Sequence, residues 1–209
     1  MSTTATAIVI GGAQGLTDGN AHGLNNKALG IIEGARAVWS LVGQDYVGKF
    51  VVFGGAALLL HGARLQTRDV DVGITGDSLD AFERAARVDP RFREYPSGWE
   101  YATSYGFNVH IDFVQISGGH LHQVEGYCLD KSLPVATLVD IALSKGITYV
   151  DRGEDRDMDG LLYAVEKMLI KGQNFKALNE EQREVLQIIL DRLDCSSERG
   201  LHTVITTLL

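Results

Sequence analysis

The sequence predicts an α/β (α+β) fold, with strands and helices mixed in the front half of the chain and helices alone in the back half. Acidic and apolar residues alternate over 69–74, and a similar alternation recurs over 109–114, as in strands with one polar face. Apolar residues recur every three or four positions over 26–42 and after Pro134, which is typical of amphipathic helices. At 209 residues, 45% hydrophobic and 22% charged, the chain is long enough to bury a core and too apolar to be disordered.

The front half divides into an arm and a mixed core. Residues 1–25 are rich in Gly and Asn and predict a flexible N-terminal arm. The helix over 26–42 ends at Gly43, and a short buried strand over 47–53 ends at the pair Gly54-Gly55. The elements expected next are a helix over 56–61, a strand over 69–74, a helix capped by Asp77 or Ser78, and a hairpin of strands 100–104 and 107–116 around Gly106.

The back half is predicted to be a helical segment over 131–209, after an α/β core over 26–130. Apolar residues at helical spacing precede Gly146 and Gly172, and glycine at these places favours a helix end. A further helix follows Asn179, a residue type that is common at N-caps.

The chain is acidic, because 19 Lys and Arg against 27 Asp and Glu give a formal net charge of −8. This surplus disfavours RNA as a partner, since contacts to phosphate backbones depend on Lys and Arg. Two cysteines are too few for a disulfide framework or a Cys-only metal site, and no apolar run is long enough to span a membrane. We therefore expect a soluble, cytoplasmic protein. The sequence does not indicate its oligomeric state.

Three carboxylates indicate a metal site. Asp69 and Asp71 lie two residues apart on a predicted strand, so both side chains project from the same face. Asp112 stands among apolar residues in another predicted strand, where an unpaired acid is costly. Neighbouring carboxylates repel one another unless cations lie between them, and such hard oxygen ligands suit Mg²⁺ or Mn²⁺. On neighbouring strands, the three could hold two metal ions that act on a triphosphate.

The glycine pair completes a recognisable pattern. Gly54 and Gly55 stand between a predicted strand and helix, where they would let the backbone approach a phosphate closely. The pair, the Asp69-x-Asp71 strand and the later Asp112 together resemble the nucleotidyltransferase superfamily, in particular its polymerase beta-like minimal members. The signature of that superfamily is a Gly-Gly or Gly-Ser pair, an Asp-x-Asp strand and a third Asp.

A finer resemblance extends over residues 47–171. Arg64, Thr67-Arg68-Asp69, Lys145, Arg152 and the run Arg156-Asp157-Met158-Asp159 follow the order found in the branch that contains AbiEii-type toxins. Gly160 departs from that branch, which often has an Asp at this position, and the departure puts a role for Asp157 or Asp159 in doubt.

The resemblance implies a mixed β-sheet flanked by helices and the transfer of a nucleoside monophosphate from an NTP to a hydroxyl-type acceptor on a small molecule or a protein. It implies that Asp69, Asp71 and Asp112 bind the metal ions and that Asp112 helps to deprotonate the acceptor. The nucleotide-binding residues that it implies are Gly54, Gly55, Thr67, Arg68 and Lys145, of which the glycines cradle the β- and γ-phosphates and Lys145 neutralises triphosphate charge.

Several alternatives stay open from the residues alone. Asp69 and Asp71 also suit the solvated face of an edge strand, and Asp112 suits an ion pair. Arg68 could pair with a nearby acid, and Lys145 is favourable near a helix C-terminus for structural reasons alone. At the level of function, the alternatives are nucleotide addition to RNA or tRNA and a catalytically silent NTP-binding module.

Overall fold

The computed structural model describes residues 25–46, 48–63, 67–116, 126–130, 133–195 and 198–209, with only the backbone described over 126–130. The predicted arm, apart from Asn25, and the residues Val47 and Arg64 lie outside this part of the chain. The strands are β1 (Phe50–Phe53), β2 (Asp69–Ile74), β3 (Phe92–Tyr95), β4 (Gly98–Ala102), β5 (Asn108–Gln115), β6 (Gly126–Asp130) and β7 (Leu133–Ala136). The helices are α1 (Asn26–Val42), α2 (Gly54–Leu60), α3 (Gly76–Ala86), α4 (Leu138–Arg152), α5 (Asp155–Lys171), α6 (Glu180–Asp194) and α7 (Arg199–Thr207).

The described strands form one mixed sheet in the order β3-β4-β5-β2-β1-β7-β6. The pairs β2–β5 and β1–β7 are parallel, and the other neighbouring strands are antiparallel. β6 and β7 both belong to this sheet, so the sheet continues past the predicted boundary at residue 130. The predicted α/β fold with a mixed sheet and helices around it is confirmed.

One face of the sheet is covered by α1 and α3. α1 begins where the Asn25 side chain accepts a hydrogen bond from the Ala28 N–H (2.9 Å), and it ends at Gly43, as the sequence predicts. A methyl group added at Gly34 of α1 would lie 3.5 Å from Val109 and 3.6 Å from Val70. On α3, the Phe82 ring packs against Trp99 and Phe113, with centroids 5.3 and 4.8 Å away. This packing buries the apolar side of β2 and β5 and leaves their acidic side on the opposite face.

Two predicted helix ends differ from the structure. The predicted end at Gly146 is wrong, because α4 runs on to Arg152 and Gly146 packs inside it against Ile189 of α6. Tertiary packing, rather than a helix end, therefore accounts for this glycine. The predicted cap of α3 is also wrong, because Thr75 occupies the N-cap position and Asp77 lies in the first turn. Asp77 instead accepts a hydrogen bond from the Thr75 hydroxyl and pairs with Lys49.

The C-terminal helices pack on the core from the side of α2. α4 and α5 lie against each other and against α2, and α6 packs on α4. A capping box between Asn179 and Gln182 begins α6, as the sequence indicates for Asn179. No helix within the described residues is long and apolar enough to cross a membrane.

Candidate active site

The three predicted carboxylates lie on one face of two neighbouring strands. β2 and β5 run parallel in a register that places Asp71 opposite Asp112 and Asp69 opposite His110. Val70 and Ile111, which point to the other face, are fully buried. Since β2 lies between β1 and β5, the alternative that Asp69 and Asp71 line an edge strand is wrong. The sheet therefore gathers carboxylates that are about 40 residues apart in the sequence.

The pKa of Asp71 is raised. Burial, together with the negative charges of Asp69 and Asp112, raises its pKa to about 6. The Lys145 ammonium and the Gly55 N–H oppose this rise in pKa, because both stabilise the charged form. The site thus concentrates negative charge that a bound cation would relieve.

The glycine pair is packed directly against the acidic strand. Gly54 has a φ of +62°, and a methyl group added there would lie 2.0 Å from Asp71 Oδ2. A methyl group at Gly55 would lie 2.5 Å from the Thr67 hydroxyl oxygen. Both distances are far inside van der Waals contact, so any larger residue would displace the side chains of Asp71 and Thr67. The structure therefore gives these glycines a packing role besides the phosphate-binding role that the resemblance implies.

The residues just before β2 divide into one that contacts the carboxylates and one that does not. The Thr67 hydroxyl donates a hydrogen bond to Asp69 Oδ1 (2.9 Å), which fixes the orientation of that carboxylate. Arg68 is exposed, and it forms no ion pair with any acid in the described part of the chain. Within the described residues, the alternative that Arg68 pairs with a nearby acid is therefore wrong.

Asp112 has a partner that its isolated position in the sequence did not identify. His110, two residues earlier on the same face of β5, places its Nε2 2.9 Å from Asp112 Oδ1. Both side chains remain partly exposed, at 30% for His110 and 42% for Asp112. Asp112 thus lies on the partly exposed face of β5, opposite the buried face of Val109 and Ile111, and it has a partner there.

The oxygen donors of this site fit a hard divalent cation such as Mg²⁺ in kind. Among the residues that the structure describes, however, no three His, Cys, Asp or Glu side chains are gathered closely enough to hold an ion. Asp69 accepts a hydrogen bond from Thr67, and Asp112 contacts His110. A cation bound here would have to compete with these protein partners for the two carboxylates.

Lys145 and Asp157 form a buried ion pair next to the carboxylates. Lys145 Nζ lies 2.7 Å from Asp157 Oδ1, and the two side chains are 19% and 2% exposed. The Lys145 charge lowers the pKa of Asp71, against the burial and the neighbouring acids that raise it. Lys145 lies within α4, seven residues before its last residue, so a role at a helix C-terminus is wrong for it. The departure at Gly160 put a role for Asp157 in doubt, and the structure brings Asp157 of α5 to Lys145 of α4.

The comparison with solved structures identifies the fold. No protein-family model matches the sequence, and no curated protein sequence matches it. An antigenic nucleotidyltransferase-like protein from Paracoccidioides brasiliensis superposes with a TM-score of 0.60 over 86% of this chain and 94% of its own, at 14% sequence identity. The chain has a nucleotidyltransferase-like fold. At this identity the similarity establishes the fold, and the functional assignment must come from the site.

Two structures of the antibiotic-resistance factor ANT(2″)-Ia are more distant. The complex of that protein with adenylyl-2″-tobramycin has a TM-score of 0.46 and 10% identity, covering 77% of this chain and 97% of that chain. Its solution structure has a TM-score of 0.42 and 11% identity, covering 84% and 96% of the two chains. TM-scores below 0.5 add no evidence about this chain. No comparison bears on the AbiEii-type branch, which stays a prediction.

Proposed function

We propose that the chain is a metal-dependent nucleotidyltransferase that transfers an NMP from an NTP to a hydroxyl-type acceptor on a small molecule or a protein and releases pyrophosphate. One observation carries the proposal: Asp71 and Asp112 are register partners on parallel strands, with Asp69 on the same face. This acidic face adjoins the Gly54-Gly55 turn in a fold shared with a nucleotidyltransferase-like protein. Two adjacent interior strands have no structural need for three neighbouring acids.

The residues of the site have separable roles under this proposal. Asp69, Asp71 and Asp112 would hold Mg²⁺ or Mn²⁺, which when bound withdraws charge from the triphosphate and lowers the pKa of the acceptor hydroxyl. Thr67 orients Asp69 through its hydroxyl. The triphosphate would lie along the Gly54-Gly55 turn, where the absence of side chains permits a close approach.

The transfer step requires charge neutralisation and a proton acceptor. The acceptor oxygen forms a bond to the α-phosphorus while the bond from the α-phosphorus to the bridging oxygen breaks, and pyrophosphate leaves with that oxygen. Asp112 would take the proton of the acceptor hydroxyl, because its side chain is partly exposed and faces the same side as Asp71. Lys145 and Arg68 would stabilise the negative charge of the leaving pyrophosphate.

The acceptor class follows from charge. The formal net charge of −8 opposes polyanionic acceptors, since RNA binding requires a basic surface. A small molecule or a protein therefore suits the chain better than RNA.

The test is a transfer assay with NTPs labelled at the α-phosphate. The purified chain, Mg²⁺ and each NTP are incubated with a dialysable small-molecule extract, a protein extract or total RNA, and both label transfer and pyrophosphate are measured. We expect label in the small-molecule or protein fraction and loss of both signals in Asp69→Ala and Asp71→Ala. The matched control is Asp80→Ala, which removes an exposed acid of α3 and should retain the activity.

Each other outcome contradicts a specific part of the proposal. An Asp71→Ala variant that is folded and fully active would refute the metal mechanism. Label found in RNA would favour the tRNA-modifying alternative. Stoichiometric NTP binding with no pyrophosphate release in any fraction would favour the catalytically silent module.

A further inference from the structure

Lys145 is held in place by α5 at two points along its side chain. Its ammonium group contacts Asp157, whose carboxylate is almost completely buried. Its stem crosses Gly160, where a methyl group would lie 3.1 Å from both Lys145 Cγ and Cδ and 3.2 Å from Leu58 of α2. Asp157 and Gly160 are three residues apart on α5, so both face the same neighbour. One side of α5 is thus shaped to fit the length of this lysine.

The Asp157 carboxylate is bonded to Lys145 through only one of its two oxygens. Its Oδ1 accepts the hydrogen bond from Lys145 (2.7 Å), while its Oδ2 is buried without a hydrogen-bond partner among the described residues. Burying a carboxylate with one oxygen unsatisfied is unfavourable for stability, and a buried ion pair is seldom better for stability than apolar packing. Structural stability therefore does not account for a charged residue at this position.

The Lys145 stem lies close to α2, because the same point above Gly160 is 3.1 Å from Lys145 and 3.2 Å from Leu58. Leu58 lies one helical turn after Gly54, the residue of α2 that packs against Asp71. Lysine has a long, flexible side chain, and an unrestrained one loses much rotamer freedom when it binds a ligand. A lysine that is already held loses less, so its interaction with a phosphate group is stronger.

We propose that Asp157 and Gly160 are positioning residues, which fix the Lys145 ammonium beside the Asp69–Asp71–Asp112 face so that it binds the triphosphate of the nucleotide. The inference rests on the proposed function, because it takes the triphosphate as the ligand of Lys145. It also accounts for the glycine at residue 160, because the stem of Lys145 occupies the space that a side chain would need.

The test measures triphosphate binding without any base or acceptor. Inorganic tripolyphosphate with Mg²⁺ is titrated into the full chain by calorimetry, for the wild type and for Asp157→Asn, Gly160→Ala, Lys145→Met and the double variant Lys145→Met/Asp157→Asn. Urea denaturation of every variant reports its stability separately. Gly200→Ala is the matched control, because Gly200 is also helical and a methyl group there meets nothing within 4 Å.

We expect Asp157→Asn to weaken tripolyphosphate binding about tenfold, the effect of releasing one long side chain. The same substitution should have no effect in the Lys145→Met background, since Asp157 acts only through Lys145. Lys145→Met alone leaves the Asp157 charge buried and could unfold the chain. Gly160→Ala therefore provides a second test that keeps both charges, and it should weaken binding several-fold. Gly200→Ala should bind as the wild type does.

The inference is overturned if Asp157→Asn and Gly160→Ala lower the stability but bind tripolyphosphate with wild-type affinity. It is also overturned if Asp157→Asn binds more tightly, because Asp157 would then only be opposing the charge of Lys145. An effect of Asp157→Asn that persists without Lys145 would mean direct contact with the ligand, which also contradicts a positioning role. A wild-type chain that binds no tripolyphosphate removes the proposed function together with this inference, whereas failure of the variants alone leaves the proposed function intact.

Discussion

Replacing Gly54 with Ala tests the central geometric feature of the site, the close approach of the α2 turn to Asp71. The new methyl group would lie 2.0 Å from Asp71 Oδ2, against 3.4–4 Å for ordinary contact. The carboxylate oxygen would have to move by at least 3.4 − 2.0 = 1.4 Å. The alanine would also have to adopt a φ of +62°, which is unfavourable for any residue with a Cβ.

The expected loss of stability follows from these contributions. The left-handed backbone costs about 1 kcal/mol for alanine. Turning the Asp71 side chain away from its rotamer costs roughly 1 kcal/mol, and weakening the hydrogen bond from the Gly55 N–H to this carboxylate costs about another 1 kcal/mol. The free energy of unfolding should therefore fall by about 3 kcal/mol in total.

Gly153→Ala is the matched control for the backbone contribution. Gly153 has a φ of +68° at the C-cap of α4, and a methyl group there meets nothing within 4 Å. Its substitution should cost only the backbone contribution, about 1 kcal/mol. Urea denaturation followed by tryptophan fluorescence measures both variants, because Trp39 and Trp99 are buried in the core.

The two variants should also differ in activity. Gly54→Ala should abolish label transfer because it displaces Asp71, a metal ligand under the proposed function, whereas Gly153→Ala should retain the activity. The close approach of Gly54 to Asp71 has no role in stability or activity if Gly54→Ala is no less stable than Gly153→Ala and transfers label at the wild-type rate.

Two further predictions concern single carboxylates. Asp71→Asn should raise the stability of the metal-free chain by about 1 kcal/mol at neutral pH, because it removes a buried charge that is repelled by Asp69 and Asp112. Urea denaturation with and without Mg²⁺ measures this change. A destabilised variant would contradict the repulsion among the three acids. Glu33 is partly buried, which raises its pKa, but hydrogen bonds from Ser104 and Tyr101 outweigh this and hold the pKa below 4.5. The stability that its charge contributes is therefore complete above pH 4.5 and is lost as the pH falls through the lowered pKa. Glu33→Gln should thus destabilise the chain by about 1 kcal/mol at about pH 7 and by less at about pH 3.5, and a difference that does not shrink with acid would contradict the assignment.

Local sequence patterns predicted most of the helices and strands. α1 and β2 have the predicted bounds, since each has a clear period and a strong cap or turn residue at its end. Gly146 was misassigned because a glycine that accommodates Ile189 of another helix has the same local pattern as a glycine that ends a helix. Its role depends on a neighbour that no local pattern contains.

The sequence alone determined which carboxylates to consider, because alternation places Asp69 and Asp71 on one side of a strand and an acid such as Asp112 needs a partner. The tertiary structure decided what these residues contact. Parallel pairing of β2 with β5 sets Asp71 opposite Asp112, and the packing of α4 on α5 joins Lys145 to Asp157. Strand order and helix packing result from burying apolar surface across the whole chain. Contacts between residues distant in sequence are consequently fixed by the complete fold, whereas the face on which a residue lies is fixed by its immediate neighbours.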